Sequence, residues 1–235
     1  MILAFESTAK VASVALLDKG KIIAEYSVDC GLTQSELLLP MAEHCLSSVH
    51  KDFSDLTAVA CTVGPGSFTG VRIGAATVKG IAFSKGLPCL AVSTLEALAE
   101  NLRGIKGIFA AVMDARRGQV YNAIFSSNGD EIKRLTPDRA IAIDALADAL
   151  SAYKGENIYL VGDGYDISFN ALTSLDVSLC QTPRALRNER ADACAFVAKR
   201  LLEEGKAVSD SQLSPTYLRV PQAERERLER ENAQK

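Results

Sequence analysis

The sequence has no excess of basic residues: 26 lysines and arginines stand against 29 aspartates and glutamates, a formal net charge of −3 over 235 residues. A protein that binds nucleic acid by itself normally shows a basic excess, so this balance argues against that class. No apolar run is long enough to cross a bilayer, and the apolar N-terminus lacks the basic start of a signal peptide. We therefore expect a cytoplasmic protein that makes no membrane contact.

Residues that commonly carry catalysis or bind metals are also scarce. The two histidines, His44 and His50, do not have the i, i+4 spacing of a metal-binding helix. The six cysteines form no close pair, which favours a reducing compartment. No serine or cysteine lies in the pattern of a nucleophile elbow, so a hydrolase has no support. We predict no metal site in this chain.

The strongest local signal is the glycine-rich segment Thr62–Gly74. It follows an apolar run that predicts a buried strand, and it opens an alanine-rich segment that predicts a helix. A strand, a Gly-Pro-Gly turn and a helix present free backbone N–H groups that can bind an anion. From Gly66 a glycine recurs at every fourth position, at Gly70 and Gly74, so one helix face admits another backbone at close range. Thr69 stands where a dinucleotide-binding pattern needs its third glycine, and a tight turn with close packing explains the segment equally well.

The chain also contains an internal repeat. Three strands with a turn after the first are predicted in residues 1–28 and again in 108–135, and Glu6 aligns with Asp114. Each block is followed by a helix, a strand and a glycine turn. The two glycine turns are Gly64-Pro65-Gly66 and Gly162-Asp163-Gly164. This β-β-β-α-β-α order predicts an α/β protein with the duplicated actin-like, ribonuclease H-like fold, in which two lobes each hold a mixed sheet flanked by helices. Two unrelated lobes that share a hairpin are the alternative, but the recurrence of five elements in order favours duplication.

A polar, glycine-bearing stretch, Arg103–Gly107, is a candidate hinge between the lobes. The remainder of the chain divides by composition, with an amphipathic helix predicted at Ala191–Glu204 and a tail that is almost entirely charged or polar. We predict an N-terminal lobe at 1–102, a degenerate second lobe at 103–187, a helix and segment that pack back on the body at 188–222, and a charged tail at 223–235.

The predicted helix Ser35–Val49 has more apolar residues than one stripe needs to cover a sheet. Such a helix is either sandwiched within its own protein or covered by another chain. Together with the glycine face of the next helix, it predicts a helical interface on the outside of the first lobe. A charged or larger side chain in this interface, as in Leu38→Glu or Gly74→Leu, would then prevent binding of the partner chain without unfolding the monomer. The residues assigned to the interface are Ser35, Glu36, Leu38, Leu39, Met41, Gly66, Gly70, Arg72 and Gly74.

Five segments in chain order resemble the TsaB family, formerly YeaZ, of bacterial tRNA threonylcarbamoyladenosine biosynthesis proteins. The resemblance spans essentially the whole chain, and its Gly-Pro-Gly-Ser-Phe-Thr-Gly signature is highly specific. The sequence departs from the family pattern at Glu6, which is often Asp, and at Gln34, where a histidine often precedes Ser-Glu. The five segments are Leu3–Thr8, Ser35–Pro40, Gly64–Arg72, Met113–Tyr121 and Pro215–Arg219.

The resemblance implies a comparison with TsaD, the catalytic subunit to which the family is similar. In TsaD a His-x-x-x-His segment binds the metal; the matching positions here are Thr94 and Leu98, neither of which binds zinc or iron. Asp114–Gly118 replaces the second phosphate loop of TsaD without its paired glycines. The resemblance therefore implies a pseudo-enzyme, in which the fold is kept and the active site is not.

The implied function is that of a non-catalytic scaffold or activator subunit. The complex transfers threonylcarbamoyl to N6 of the adenosine beside the anticodon, in tRNAs that read ANN codons. The implied partners are TsaD and the ATPase TsaE, with a homodimer when the chain is alone and tRNA reached through the complex. ATP and Mg²⁺ would be used by the complex, with no cofactor bound tightly by this chain. The runner-up is an independent actin-like ATPase or kinase, and a glycoprotease lacks a nucleophile, a metal site and a base.

Two further groups of residues are candidate ligand contacts. Vestigial phosphate loops in the cleft between the lobes would be Glu6, Ser7, Thr8, Gly64, Pro65, Gly66 and Ser67. Contacts to a nucleotide or a partner within the complex would come from Asp114, Arg116 and Arg117, although exposed turn charges explain these equally well. Glu6 and Asp114 could also hold Mg²⁺ or orient water. Because only one phosphate loop keeps its glycines, we expect weak ATP binding, on the order of 1 mM or worse.

Overall fold

The computed structural model describes residues 1–173 and 177–219. The predicted charged tail, 223–235, lies outside the described residues, as do residues 220–222 of the segment predicted to pack back on the body. Among the described residues, none of the helices combines the length and the apolar character needed to cross a membrane.

The first lobe holds a five-stranded sheet. Its elements are β1 (Ile2–Glu6), β2 (Ala12–Asp18), β3 (Lys21–Val28), α1 (Gln34–Ser47), β4 (Ala58–Thr62), α2 (Phe68–Lys85) and β5 (Cys89–Val92). The strand order is β3-β2-β1-β4-β5. The Ser67 hydroxyl caps the start of α2 by accepting a hydrogen bond from the Gly70 N–H at 3.2 Å, and Gly86 ends the helix with a φ of 65°.

The second lobe holds a six-stranded sheet and is preceded by a short helix. The elements are α3 (Thr94–Glu100), β6 (Lys106–Asp114), β7 (Gln119–Asn128), β8 (Ile132–Arg134), β9 (Arg139–Ala142), α4 (Ile143–Ser151), β10 (Asn157–Val161), α5 (Tyr165–Leu172) and β11 (Ser178–Cys180), followed by α6 (Ala191–Glu203). The strand order is β11-β10-β6-β7-β8, and β9 pairs with β7.

The two lobes repeat one plan, as the sequence predicts. In each lobe the first strand pairs antiparallel with the next strand and parallel with the strand that follows a helix. These pairs are β1 with β2 and β4 in the first lobe, and β6 with β7 and β10 in the second. The second lobe adds β9, which pairs antiparallel with β7 and which the sequence pattern does not predict. The duplicated α/β fold is therefore confirmed.

Helices cover both faces of the first sheet. One face packs against α1 and α2 through a core that includes Leu3, Phe5 and Leu16. The opposite face packs against α6, and Ala60 of β4 and Cys194 of α6 belong to one buried cluster. The helix that follows the second lobe in sequence thus completes the core of the first lobe.

The lobes meet across a packed apolar layer. Leu95 and Leu98 of α3 belong to the same buried cluster as Phe109 and Met113 of β6. At the start of α3, the Thr94 N–H donates to the Gly64 carbonyl oxygen at 2.9 Å. The helix α3 therefore fixes the position of one lobe against the other.

Candidate functional site: an outer groove and an inter-lobe cleft

An apolar groove lies on the outer surface of the first lobe, between α1 and α2. Its volume is about 650 Å³. Leu39 on its rim is 45% exposed, which is high for so large an apolar side chain. The lining residues are Ser35, Leu39, Glu43, Phe53, Ile73, Ala76, Thr77, Gly80, Ile81, Ser84 and Lys85. We call this surface the outer groove.

Short side chains form the α2 wall of the outer groove. Ala76, Gly80 and Ser84 recur at every fourth position, so they lie along one face of the helix. A Cβ atom at Gly80 would meet no described atom within 4 Å. Small residues in this arrangement let a second helix approach closely, so the groove has the shape and the chemistry of a helix-binding surface.

The structure divides the α1 residues that were assigned to a partner interface. Ser35 and Leu39 line the outer groove, whereas the Glu36 carboxylate accepts the hydrogen bonds that cap the first turn of α1. Leu38 and Met41 lie in the core of the first lobe, 1% and 8% exposed. The prediction that these two face a partner is wrong, because α1 packs against β2, β3 and α2 and so buries a wider arc than one stripe.

Gly70 and Gly74 lie on the inward face of α2, and Gly66 lies in the turn before it. A side chain at Gly70 would strike the Ser7 carbonyl oxygen, and one at Gly74 would strike the Ser7 hydroxyl. A Cβ atom at Gly66 would lie 2.6 Å from the Thr8 carbonyl oxygen. The close backbone approach predicted from the sequence is confirmed, but the backbone belongs to the same lobe. The assignment of these glycines to a partner interface is therefore wrong.

Arg72 is exposed on α2 and does not line the outer groove. Its guanidinium stacks on the Phe68 ring, 3.8 Å from the ring centroid. Its Nε donates to the Tyr217 hydroxyl at 2.8 Å. Arg72 thus holds the C-terminal part of the chain, which is a contact that the sequence pattern does not predict.

A second cavity, of about 450 Å³, lies between the lobes. The Ser67 N–H donates to the Thr8 carbonyl oxygen at 2.7 Å, which brings two of the predicted phosphate loops together at its wall. The lining residues are Thr8, Ala9, Lys10, Pro65, Gly66, Ser67, Phe68, Met113, Asp114, Ala115, Arg116, Tyr121, Asp163, Thr216, Tyr217, Leu218 and Arg219. We call this cavity the cleft.

Glu6 and Ser7 are buried and do not line the cleft. The backbone N–H and the hydroxyl of Thr8 both donate to Glu6 Oε1 at 2.6 Å. Burial raises the pKa of Glu6 above its ordinary value, although these hydrogen bonds lower it in part. The Ser7 hydroxyl donates to the Gly70 carbonyl oxygen at 2.9 Å. Because neither side chain lines the cleft, the structure gives no support to Glu6 holding Mg²⁺ or orienting water at a bound nucleotide.

The turn after β6 has an unusual backbone. Arg116, Arg117 and Gly118 all have positive φ angles, of 64°, 56° and 70°. For a residue with a Cβ atom this conformation costs on the order of 1 kcal/mol. Asp114 Oδ1 accepts a hydrogen bond from the Arg116 N–H at 2.7 Å and so supports the turn. The Arg116 side chain is 82% exposed at the mouth of the cleft, so a contact with a partner or a ligand stays a prediction for this turn.

Two buried carboxyls, those of Glu6 and Glu189, lie beneath the cleft beside the exposed Asp163 of its lining, and the sequence pattern does not predict Glu189. Glu189, just before α6, is 3% exposed, and its Oε1 accepts a hydrogen bond from the Asp163 N–H at 3.2 Å. Asp163 Oδ1 in turn accepts from the Asp114 N–H at 3.0 Å. Burial raises the pKa of Glu189 to about 8, and the nearby carboxyls of Asp163 and Glu6 add to the effect. The pKa of Asp163 is also raised, chiefly by partial desolvation of its carboxyl, although the residue is exposed at the cleft. Glu189 therefore keeps its proton at neutral pH.

Thr94 and Leu98, the positions that the resemblance aligns with metal ligands, lie in packed surroundings. Thr94 and Leu98 are 0% and 1% exposed, and Leu98 belongs to the apolar layer between the lobes. Within residues 1–173 and 177–219, no group of three histidine, cysteine, aspartate or glutamate side chains could hold a metal ion. His44 makes an edge contact with the Tyr26 ring, with 4.8 Å between the ring centroids. Thr94 and Leu98 therefore serve packing, and the absence of a metal site stays a prediction.

A comparison with protein-family models matches residues 32–227 to the family described as TsaD, tRNA N6-adenosine threonylcarbamoyltransferase. The match begins before α1 and extends past α6, so it covers the outer groove, most of the cleft and the second lobe.

Relatives are similar over nearly the whole chain. The tRNA threonylcarbamoyladenosine biosynthesis protein TsaB of Bacillus subtilis is 32% identical, over 97% of this chain and 98% of its own length. The protein of the same name in Escherichia coli is 30% identical, over 93% of this chain and 94% of its own length. A solved structure described as YeaZ from Pseudomonas aeruginosa superposes with a TM-score of 0.79 at 26% identity, covering 92% of this chain and 99% of that one.

Proposed function

This chain belongs to the TsaB family, and we propose that it is a non-catalytic subunit of the complex that transfers threonylcarbamoyl to N6 of the adenosine beside the anticodon. The tRNAs concerned read codons that begin with A. In this proposal the chain acts by pairing with TsaD. This chain provides a binding surface, and TsaD carries out the transfer reaction.

The outer groove carries the proposal. It leaves Leu39 exposed beside a wall of short side chains on α2, where a pair of helices from a related chain can pack. Glu43 and Lys85 line the groove together, so a second copy related by a two-fold axis can pair opposite charges across the contact. The same surface thus accounts for a TsaD heterodimer and for a homodimer when the chain is alone.

Two observations support a non-catalytic role: a packed residue stands at a position aligned with a metal ligand, and the acidic residue of the first turn is buried. Leu98 stands in the apolar layer between the lobes, and Glu6 is held by Thr8. An independent ATPase or kinase needs side chains that are free to meet a magnesium nucleotide, and Glu6 and Ser7 are not free. In the proposal ATP and Mg²⁺ are used elsewhere in the complex, with TsaE as a further partner and tRNA reached through the complex.

The variants Leu39→Glu and Gly80→Leu should weaken pairing with TsaD by about 30-fold each, which corresponds to the ~2 kcal/mol typical of a residue central to an interface. The first places a charge in an apolar contact, and the second blocks the approach of a helix. Since Leu39 is exposed and Gly80 has open space, both monomers should melt close to the wild-type temperature. Sedimentation velocity of mixtures with TsaD measures the pairing.

A matched control for the charge variant is Ile167→Glu on α5. Ile167 is 41% exposed, much like Leu39, but it lies on the second lobe. Pairing should be unchanged in this control. Wild-type pairing by Leu39→Glu, or equal weakening by Ile167→Glu, would show that TsaD does not use the outer groove.

Reconstitution tests the function itself. With TsaD, TsaE, ATP, threonine-derived adenylate and unmodified tRNA, transfer of threonylcarbamoyl should require this chain, and the chain alone should transfer none. Leu39→Glu should lower the yield in proportion to the lost pairing, because the chain acts by its contact with TsaD. Transfer by the isolated chain, or a full yield without it, would overturn the proposal.

A further inference from the structure

The described C-terminal segment crosses the mouth of the cleft and is seated on the first lobe. Leu213, where the segment leaves the body, is fully buried in the core of that lobe. The Thr216 N–H then donates to the Val63 carbonyl oxygen at 2.7 Å. A Cβ atom at Gly64 would lie 2.6 Å from the Thr216 carbonyl oxygen, so the glycine turn leaves room for the passing backbone. The backbone at Val63 and Gly64 therefore forms a specific binding position for Thr216.

The aromatic ring of Tyr217 makes the next contact, on α2. It packs against the Phe68 ring, with 5.1 Å between the centroids, while the Tyr217 hydroxyl accepts the hydrogen bond from Arg72. Since Arg72 also stacks on Phe68, the three side chains form one cluster. Tyr217 nevertheless stays 42% exposed, so the cluster can open without breaking the core.

The segment then reaches the second lobe. Arg219 Nη1 donates to the Ala115 carbonyl oxygen at 2.6 Å. Ala115 lies directly before the turn in which Arg116 and Arg117 have positive φ angles. One short stretch of chain is therefore fastened to the first lobe at Val63 and to the second lobe at Ala115, across the opening of the cleft.

We propose that residues 215–219 form a clasp that joins the two lobes and controls access to the cleft. Closed, the clasp supplies one wall of the cleft and holds the turn after β6 in its left-handed conformation. Released at Arg219, it leaves that turn free and opens the mouth between the lobes. The clasp is a property of the isolated chain and does not depend on the function proposed above.

Hydrogen–deuterium exchange on the full-length chain tests the clasp. In Arg219→Ala, the amides of residues 214–219 and those of residues 114–119 should both exchange about tenfold faster, the factor expected when a hydrogen bond to a charged group is lost. In Tyr217→Ala, which removes the contact with Phe68 and Arg72, both segments should again exchange faster. Amides of β1 and β10 should keep their wild-type rates in both variants, because the cores are untouched.

Ser214→Ala is the matched control, since this exposed side chain lies beside the clasp and makes none of its contacts described above. Its exchange should match the wild type throughout. Acceleration confined to residues 214–219, with residues 114–119 unchanged, would show a surface tail that does not bridge the lobes and would overturn the proposal. Unchanged exchange in both variants would overturn it as well, and so would a uniform rise across the sheets, which would mean global destabilisation.

Discussion

Replacing Glu189 by glutamine should raise the free energy of unfolding by about 3 kcal/mol at pH 7 and leave it nearly unchanged at pH 4. The pKa of Glu189 is raised to about 8 in the folded chain, from an ordinary value of 4.5. Between these values the folded state binds a proton that the unfolded state releases, so the wild-type chain loses stability as the pH rises. Glutamine carries no titrating proton and keeps an oxygen for the Asp163 N–H. Urea unfolding at several pH values measures the difference.

Glu156→Gln is the control, because Glu156 is exposed and its replacement should change stability little at any pH. The informative quantity is the difference between Glu189→Gln and the wild type as a function of pH. A difference that is the same at pH 4 and pH 8 would mean that Glu189 is ionised in the folded chain, and the description of a protonated carboxyl beneath the cleft would have to be given up.

Two glycines of the same helix should respond to alanine in opposite directions. Gly70→Ala should lower the free energy of unfolding by about 3 kcal/mol, because its methyl group would strike the Ser7 backbone, which cannot move without displacing β1. Gly80→Ala should raise it by about 1 kcal/mol, since alanine favours the helix and meets open space. Urea unfolding of the monomer measures both.

The pair of variants separates the two faces of α2. Each substitution adds one methyl group to a glycine of the same helix, and the surroundings that this methyl group meets differ: the Ser7 backbone at Gly70 and open space at Gly80. Equal stabilisation by both would place Gly70 on an open surface, contrary to the structure. The same logic applies to Gly74→Leu, which should unfold the first lobe rather than merely break a pair.

The duplicated fold could be predicted from the sequence because the turns that separate its strands have local sequence patterns. The turn after Lys19 and the glycine turns at Gly64 and Gly162 fall between alternating or apolar runs, and positive φ angles at all three positions explain their composition. The strand β9 could not be predicted. Its four residues, Arg139–Ala142, are stabilised by pairing with β7. A short run of mixed polarity gives no sequence pattern from which that pairing could be predicted.

The faces of α1 were predicted with less success. Leu37, Leu38 and Leu39 are consecutive, so periodicity alone cannot say which of them the sheet covers. The tertiary contacts decide: Leu38 is buried against the sheet and Leu39 is left in the groove. The exposed apolar groove lies on the two helices named from the sequence, but several of the assigned residues are on their buried sides, and binding of a partner in the groove stays a prediction.

The buried carboxyl at Glu189 had no usable signal in the sequence. It stands between Arg187 and Arg190 in a polar stretch, which is typical of an exposed connection. Its neighbours Glu6 and Asp163 come from the beginning of the chain and from the second lobe. Only the folding of both lobes around α6 brings the three carboxyls together, so long-range topology determines this site.

Two opposite faces of α2 carry short side chains, so only the helix backbone separates the surfaces on either side of it. Gly74 and Ala76 are two residues apart and point in nearly opposite directions, about 200° around the axis. Gly74 lies against the loop after β1, and Ala76 lies in the outer groove. Little compressible side chain separates the two surfaces, and packed interiors absorb strain poorly. The loop after β1 therefore contacts the backbone of the same helix whose opposite face forms the wall of the outer groove, with only short side chains between the two surfaces.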